Sequence, residues 1–399
     1  MNYKFTRLTT LVAVGALTLS GATLIFGSGA GAAAKIPTYT IAFQGVLSGG
    51  AASLGIPEKN GVVVAVNLWN ANKKRKFNIK MISGDDQCDP TVAPSVATQI
   101  SSNKKVLAVV GPSCSGATLA SLPIYGPTGM AVVSPSATNP PLTTPADDPH
   151  HIYFRDVAND SIQGPADGNY LAKSLKKTNI EVINDASTYG AGLASQVAAQ
   201  AKADGATVTT ATLPSTTACG NGGTGTNDQI TIPSGVTAVF YGGYYCDFAQ
   251  MTDLVRTAGY TGVLMSGDGS DEPAYITDLS KVADGSGVYL TCACSQVSSA
   301  GAAGKLFNTT YQKRLKTTPG AYAPESYDAA NMIFTAMTKI KKVTRTGITA
   351  ELKKLAYVGI TKTIKFTSTG DVTSKAIYVS QVVVANGKGT IKQIASTTP

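Results

Sequence analysis

The sequence predicts an α/β fold of two lobes facing a ligand cleft. Three observations carry that prediction. Strand-like and helix-like segments alternate along the 399 residues. The alternation is broken once by a proline-rich stretch and then restarts. The chain ends in β-rich runs. A β-α-β order argues a parallel sheet covered by helices on both faces. Two such units argue two lobes, and the length agrees at about 100–200 residues per domain. With 43% hydrophobic residues there is enough apolar material for packed cores.

The elements follow in order. Thr38 to Gly45 is rich in β-branched and aromatic residues and reads as a strand. Asn60 to Trp69 is apolar at most positions and reads as a buried helix. Phe77 to Ile82, Lys105 to Gly111 and Met130 to Ser134 read as strands, with helices at Val92 to Ile100 and Ser115 to Tyr125. Pro135 to His150 holds five prolines and interrupts the pattern. The second unit has strands at Ile180 to Asn184, Ala206 to Thr212, Thr237 to Tyr241 and Gly262 to Met265, and helices at Tyr189 to Ala203 and Asp247 to Ala258. A later helix covers Ala329 to Lys341, and three strand-like runs fill Ile364 to Ile394.

The first 34 residues read as a cleavable export signal. Lys4 and Arg7 precede the apolar run Leu8 to Phe26, and a small-residue stretch ends at Ala34. The run is near the ~20 residues that span a bilayer, but its small residues favour cleavage. The expected location is periplasmic or extracellular, with no cysteine placed to carry a lipid anchor. The net charge of +9 is spread over scattered residues, densest at Lys73-Lys74-Arg75-Lys76 and Lys339 to Arg345. No aromatics are interleaved there, so the reading is a basic solvated surface and no nucleic-acid partner.

Six cysteines follow the signal, an even number in an exported chain, which argues disulfides over metal binding. No Cys-x-x-Cys or nearby histidine gives zinc spacing, and no metal or cofactor is expected. The expected bridges are Cys88–Cys114 and Cys219–Cys246. Cys292 and Cys294 flank one residue and either close a small ring or stay reduced. Only two histidines occur, His150 and His151, in the proline-rich surface stretch. With no separated histidine, no nucleophile elbow and no metal set, a hydrolase is excluded and no catalytic residue is expected. Gly220 to Gly225 fits Gly-x-Gly-x-x-Gly but neither follows a strand directly nor opens an apolar helix. Asp85-Asp86 has too few following oxygens for a calcium loop.

Open α/β sheets bind ligands beyond the C-terminal ends of their strands. Four loops lie there. Gly111 to Gly116 opens a helix, whose free N–H groups suit an anion; Ser115 is either a ligand donor or a cap. Ser134 to Asn139 supplies Ser136 and Thr138. Ser266 to Glu272 supplies Asp268, Asp271 and Glu272 for a cation or ammonium group. Tyr241-Gly-Gly-Tyr244-Tyr245 offers close backbone approach and aromatic walls. One half offers anion-friendly donors and the other carboxylates and tyrosines, the polarity needed to hold a zwitterion.

On these loops the chain resembles the type I periplasmic binding proteins of the branched-chain amino-acid (leucine/isoleucine/valine) family. The carrying residues are Leu47 to Gly50, Asp85 to Pro90, Val110 to Ser115, Ser134 to Pro140, Ser187 to Gly190 and Tyr241 to Tyr244, in the family's order over nearly the whole mature chain. The resemblance implies two Rossmann-like lobes with the cleft between them, and the same Cys88–Cys114 bridge. It implies that Ser115 and Thr138 hold the ligand's α-carboxylate and that the Ser136 carbonyl accepts from its ammonium. It places Asp268, where Glu is usual, on that ammonium, and Tyr189, Tyr244 and Tyr322 around the side chain. Leu54 stands where the family often has tyrosine. The implied role is solute capture for an ABC-type importer's membrane subunits, by a monomer closing on an amino acid. A short amide, a urea-like compound or an aromatic acid is the alternative ligand, and a soluble sensor component the alternative role. The expected layout is a signal at 1–34, one lobe at 36–157 with a return at 291–372, and the other at 158–290 with a return at 373–399.

Overall fold

In the computed structural model, residues 36–214, 219, 230–294 and 301–399 are described. The signal reading at 1–34 and the Gly220 to Gly225 loop lie outside them. A first sheet forms from β1 (Thr38–Gly45), β2 (Asn78–Asp85), β3 (Val106–Val110), β4 (Ala131–Ser134) and β5 (Tyr153–Arg155), all parallel, in the order β2-β1-β3-β4-β5. Its inner strands read Leu-Ala-Val-Val and Ala-Val-Val, the β-branched runs of strands buried on both faces. Helices α1 (Ala52–Ala71), α2 (Ala93–Ser102) and α3 (Ser115–Tyr125) make the crossovers.

The second sheet has seven strands. β6 (Asn179–Asn184), β7 (Thr207–Thr212), β8 (Ala238–Gly242), β9 (Val263–Ser266) and β10 (Tyr289–Cys292) run parallel. β13 (Ile377–Ala385) joins antiparallel beside β10 and pairs with β14 (Lys388–Thr397) to close the edge, in the order β14-β13-β10-β9-β8-β6-β7. Helices α4 (Asp160–Asn169), α5 (Thr188–Ala203), α6 (Tyr245–Thr257) and α7 (Pro273–Asp278) belong to this half. Between β10 and β13 the chain forms α8 (Gly301–Leu315), α9 (Ala323–Thr338), α10 (Arg345–Leu352) and the short antiparallel pair β11 (Ala356–Val358) and β12 (Thr363–Lys365). α9 packs on α1 and β3, so this stretch completes the first lobe's core with Met332, Ile333, Phe334 and Met337. The chain thus changes sheets after Arg155, after Cys292 and before Ile377. β10 runs through Cys292, two residues past the boundary expected at 290.

Helices α4, α7, α8 and α10 form where the sequence reading names none, and α1 is longer than expected; α1 and α4 share a cause, residues that disfavour a helix locally. α1 begins at Ala52, not Asn60, and carries Pro57 in its first turns. α4 lies in a stretch to which the sequence reading assigns no element; Gly164, Pro165 and Gly168 weaken its helix signal. A Cβ on Gly164 would run into Gln196 Cβ, and one on Gly168 would lie 2.8 Å from the Val197 carbonyl oxygen, both on α5. These glycines permit close helix packing at the cost of local helix propensity.

Candidate ligand-binding site

The first lobe's wall is built at the C-terminal ends of β3 and β4. Gly111 follows β3 with φ +103°, and a Cβ there would collide with the Gln44 carbonyl oxygen. The turn delivers Ser113, Cys114 and the start of α3. Cys114 bridges Cys88 with Cα atoms 5.4 Å apart, tying this loop to the one after β2. Cys114 is the N-cap and makes no side-chain cap. Ser115 Oγ instead accepts from the Asn139 amide at 3.2 Å, so its hydroxyl is not a helix cap. Ser136 Oγ donates to the Ser113 carbonyl at 2.8 Å, and Ser113 Oγ donates to Glu58 at 2.6 Å. Glu58, on α1, is fully buried. Burial pushes its carboxyl up to about 8, against the Ser113 and Ser136 hydroxyls, which pull it down.

The second lobe's wall centres on Asp268, just past β9. Tyr189, in the first turn of α5, donates to Asp268 Oδ1 at 2.8 Å, and its hydroxyl accepts from the Gly269 amide at 2.9 Å. Tyr322, the residue before α9, donates to Asp268 Oδ2 at 2.6 Å. Tyr322 sits at φ +58°, a left-handed conformation uncommon for an aromatic residue, and it belongs to the segment that packs with the first lobe. The Tyr189 and Tyr244 rings lie 5.3 Å apart. Tyr241, by contrast, faces the core and stacks on Phe248.

Between the walls lies a narrow pocket lined by Leu54, Ser113, Ser115, Ser136, Tyr189, Tyr244, Asp268, Gly269 and Tyr322. The structure therefore gathers every expected ligand residue but Thr138. Thr138 is wholly buried just behind the wall, beside the Asp160 carboxyl, and its Oγ1 lacks a hydrogen bond of ordinary geometry. Hydrogen bonds between the halves hold the cavity shut. Tyr245 donates to the Gly50 carbonyl and accepts from the Ser53 amide, Asn139 Nδ2 donates to the Thr188 carbonyl at 2.8 Å, and the Ala321 amide donates to Glu272 at 3.2 Å.

Carboxyls dominate the field around the cavity. Asp160, at the start of α4, is buried with neither oxygen in a hydrogen bond of ordinary geometry, and burial together with the Asp268 charge raises it to about 8, against the neighbouring Thr138 hydroxyl. Burial also raises Asp268, partly offset by the Tyr322 and Tyr189 hydroxyls. Two buried carboxyls of like sign with no cation between them favour a proton or a ligand cation. Asp271 is half-buried beside this group, and Glu272 bonds to Ala321, so of the acidic loop only Asp268 faces the cavity.

A family model described as periplasmic binding protein matches residues 38–389. The chain belongs to the periplasmic binding protein family. It is accordingly a solute-binding protein and not an enzyme. The leucine-specific-binding protein of Salmonella typhimurium is 28% identical over 337 residues, covering 83% of this chain and 87% of that protein. Among solved structures, the leucine binding protein LivK of Thermotoga maritima aligns with a TM-score of 0.78 at 23% identity, covering 90% of this chain and 99% of the other. LivJ of Streptococcus pneumoniae, solved with isoleucine, aligns at 0.77 and 24%, covering 91% and 100%. These two show the two-lobed α/β fold.

All three cysteine pairs of this binding protein are bridged. Cys219–Cys246 has Cα atoms 5.6 Å apart, and Cys292–Cys294, left open by the sequence, closes its small ring at 5.0 Å. His150 is exposed and His151 half-buried. Asp86 is buried and accepts from the Cys88 amide at 3.0 Å and from Gln44, so it serves its own loop. Sequence reasoning missed Glu58, Ser113 and Asp160. Neither acid carried a local signal: Glu58 is followed by Lys59, Asn60 and Gly61, and Asp160 opens a helix obscured by glycine and proline.

Proposed function

We propose that this protein captures an amino acid outside the cytoplasm as a monomer and presents it to the membrane subunits of an ABC-type importer. One observation carries the reading. A narrow pocket places hydroxyls and the N-terminus of α3 on one side, and on the other a buried Asp268 held between two tyrosine hydroxyls. An α-carboxylate suits the first wall, through helix N–H groups and serine donors. An α-ammonium suits the second, where it neutralises the Asp268 and Asp160 charges. Leu54, Tyr189, Tyr244 and Tyr322 are left to surround an apolar side chain. The relatives support this: the Salmonella protein is named for leucine, and LivJ was solved with isoleucine. The ligand completes both walls, so its differential affinity stabilises the closed form. The export reading of residues 1–34 agrees with this place of work.

Calorimetry on ligand-stripped protein tests it. Leucine, isoleucine and valine are expected to bind, and N-acetyl-leucine and leucinamide, each lacking one charge, are expected to bind at least ~10-fold more weakly, because a charge-assisted hydrogen bond is worth ~1.5–3 kcal/mol. Binding of amides, urea or aromatic acids with no response to any amino acid would replace the ligand class.

A further inference from the structure

The basic residues are scattered in sequence but not in space. Parallel strands joined by helices return each crossover to the N-terminal edge of the sheet, opposite the cleft. At that edge of the first lobe three basic segments meet. Lys73-Lys74-Arg75-Lys76 links α1 to β2, and Lys104-Lys105 links α2 to β3. Lys339, Lys341, Lys342 and Arg345 link α9 to α10. Arg345 fixes the meeting: its guanidinium donates to the carbonyls of Val106 at 2.9 Å, Ser101 at 3.0 Å and Asn103 at 2.9 Å. Trp69 of α1 and Phe334 of α9 pack 5.3 Å apart, setting the ends of those helices side by side. Arg75 is pinned to Asn78 and to the Asn72 carbonyl, while Lys73, Lys74, Lys76, Lys104, Lys105, Lys339, Lys341 and Lys342 are exposed.

Among the described residues none of these lysines is in an ion pair. The three segments contain no acid. Asp147 and Asp148 reach the same edge beside β5, two strands from β3, and Asp148 is buried and bonded to the Ile152 and Tyr153 amides. Across the protein, more than half of the 24 acidic residues are buried, and Asp278 is the one exposed acid among the described residues. Arg155 is the one buried base among them. The formal excess of basic over acidic residues therefore understates how cationic the exterior is.

We infer that this basic pole of the first lobe binds a linear phosphate polymer. The cations are mainly lysines on flexible stems, point charges that suit a run of phosphates better than one shaped anion. No large exposed apolar side chain lies in the three segments, so nothing supplies the second, inserting signal that firm attachment to a bilayer needs. No exposed aromatic lies there to stack on a nucleobase. The ligand cleft is at the opposite end of the strands and stays free.

The test uses the whole protein with long-chain inorganic polyphosphate, followed by fluorescence anisotropy over a range of salt. Binding is expected to weaken steeply with salt. Lys339→Gln/Lys341→Gln/Lys342→Gln is expected to weaken it at least ~10-fold and to lower the log–log salt slope by about two, at roughly 0.7 per lost phosphate contact. Lys388→Gln/Lys392→Gln, on β14 of the other lobe, is the control and is expected to change it little. Amino-acid affinity and melting temperature should stay the same in both variants. Equal loss in the two variants would reduce the effect to net charge and overturn the assigned pole, as would salt-independent binding. Tighter binding to single-stranded DNA at equal phosphate would overturn the polymer class in favour of base recognition. Tighter binding to phosphatidylglycerol vesicles would overturn it in favour of a membrane surface. If the triple variant fails to fold, the same comparison is read from single Lys341→Gln, expected to lose a few-fold.

Discussion

The two walls of the cavity are built by different means. The first lobe's wall is mostly loop and helix terminus: Ser115 and Ser136 are oriented by backbone partners, Ser113 by Glu58, and the loop by the bridge from Cys88 to Cys114. The second lobe's wall rests on one carboxylate gripped by two tyrosines. Many weak donors on one side are redundant; a single charge on the other is not. Truncations should therefore be unequal across the cleft.

The largest effect is expected from Asp268→Ala, which should weaken amino-acid binding by at least ~10-fold in calorimetry, since it removes a charge-assisted partner. Asp268→Asn, which keeps the shape, should lose nearly as much. Wild-type affinity in both variants would move the ammonium site elsewhere. Ser115→Ala and Thr138→Ala should each cost about threefold to tenfold, the worth of a neutral hydrogen bond of ~0.5–1.5 kcal/mol. If Thr138→Ala matched Asp268→Ala, the residue now behind the wall would have to reach the ligand.

Proton linkage sharpens the same contrast. Burial and the Asp268 charge push Asp160 up to about 8, and burial raises Asp268 beside it. A ligand ammonium lowers both, so binding below about pH 8 should release protons and tighten as pH rises toward 8. Calorimetry in buffers of different ionisation enthalpy reads the release directly, and its absence would show that the acids are already ionised. Stability of the empty protein should run the opposite way. Acids raised on folding, Glu58 and Asp160 to about 8, favour the fold fully below their ordinary carboxylate values. That contribution is lost as pH climbs through 8. The smallest effect is expected from Tyr245→Phe, which removes a bond across the cleft: a few-fold loss of affinity through a less favoured closed form.

The same asymmetry governed what could be read beforehand. Strands such as β1, and helices such as α3 and α5, were legible because apolar periodicity and turn residues are local signals. The wall loops were legible because parallel strands put ligands at their C-terminal ends. α4 was not, since its glycines answer to α5 and not to its own sequence. Glu58 and Asp160 were not, since burial of one acid is decided by helices from elsewhere in the chain. The basic pole escaped for a related reason: its segments are separated in sequence by whole strands and helices, and only the sheet's crossovers align them.

The chain passes between its sheets three times, and α9, a main element of the first lobe's core, is synthesised after most of the second lobe. Until residues 323–338 emerge, Val62, Ala65 and their neighbours on α1 lack the cover that α9 gives them. A chain delivered from its N-terminus cannot finish one lobe and then begin the next. It must hold an incomplete first lobe while the second forms, so the two halves mature together, and a single proteolytic cut at any one crossing would leave them joined by the other two.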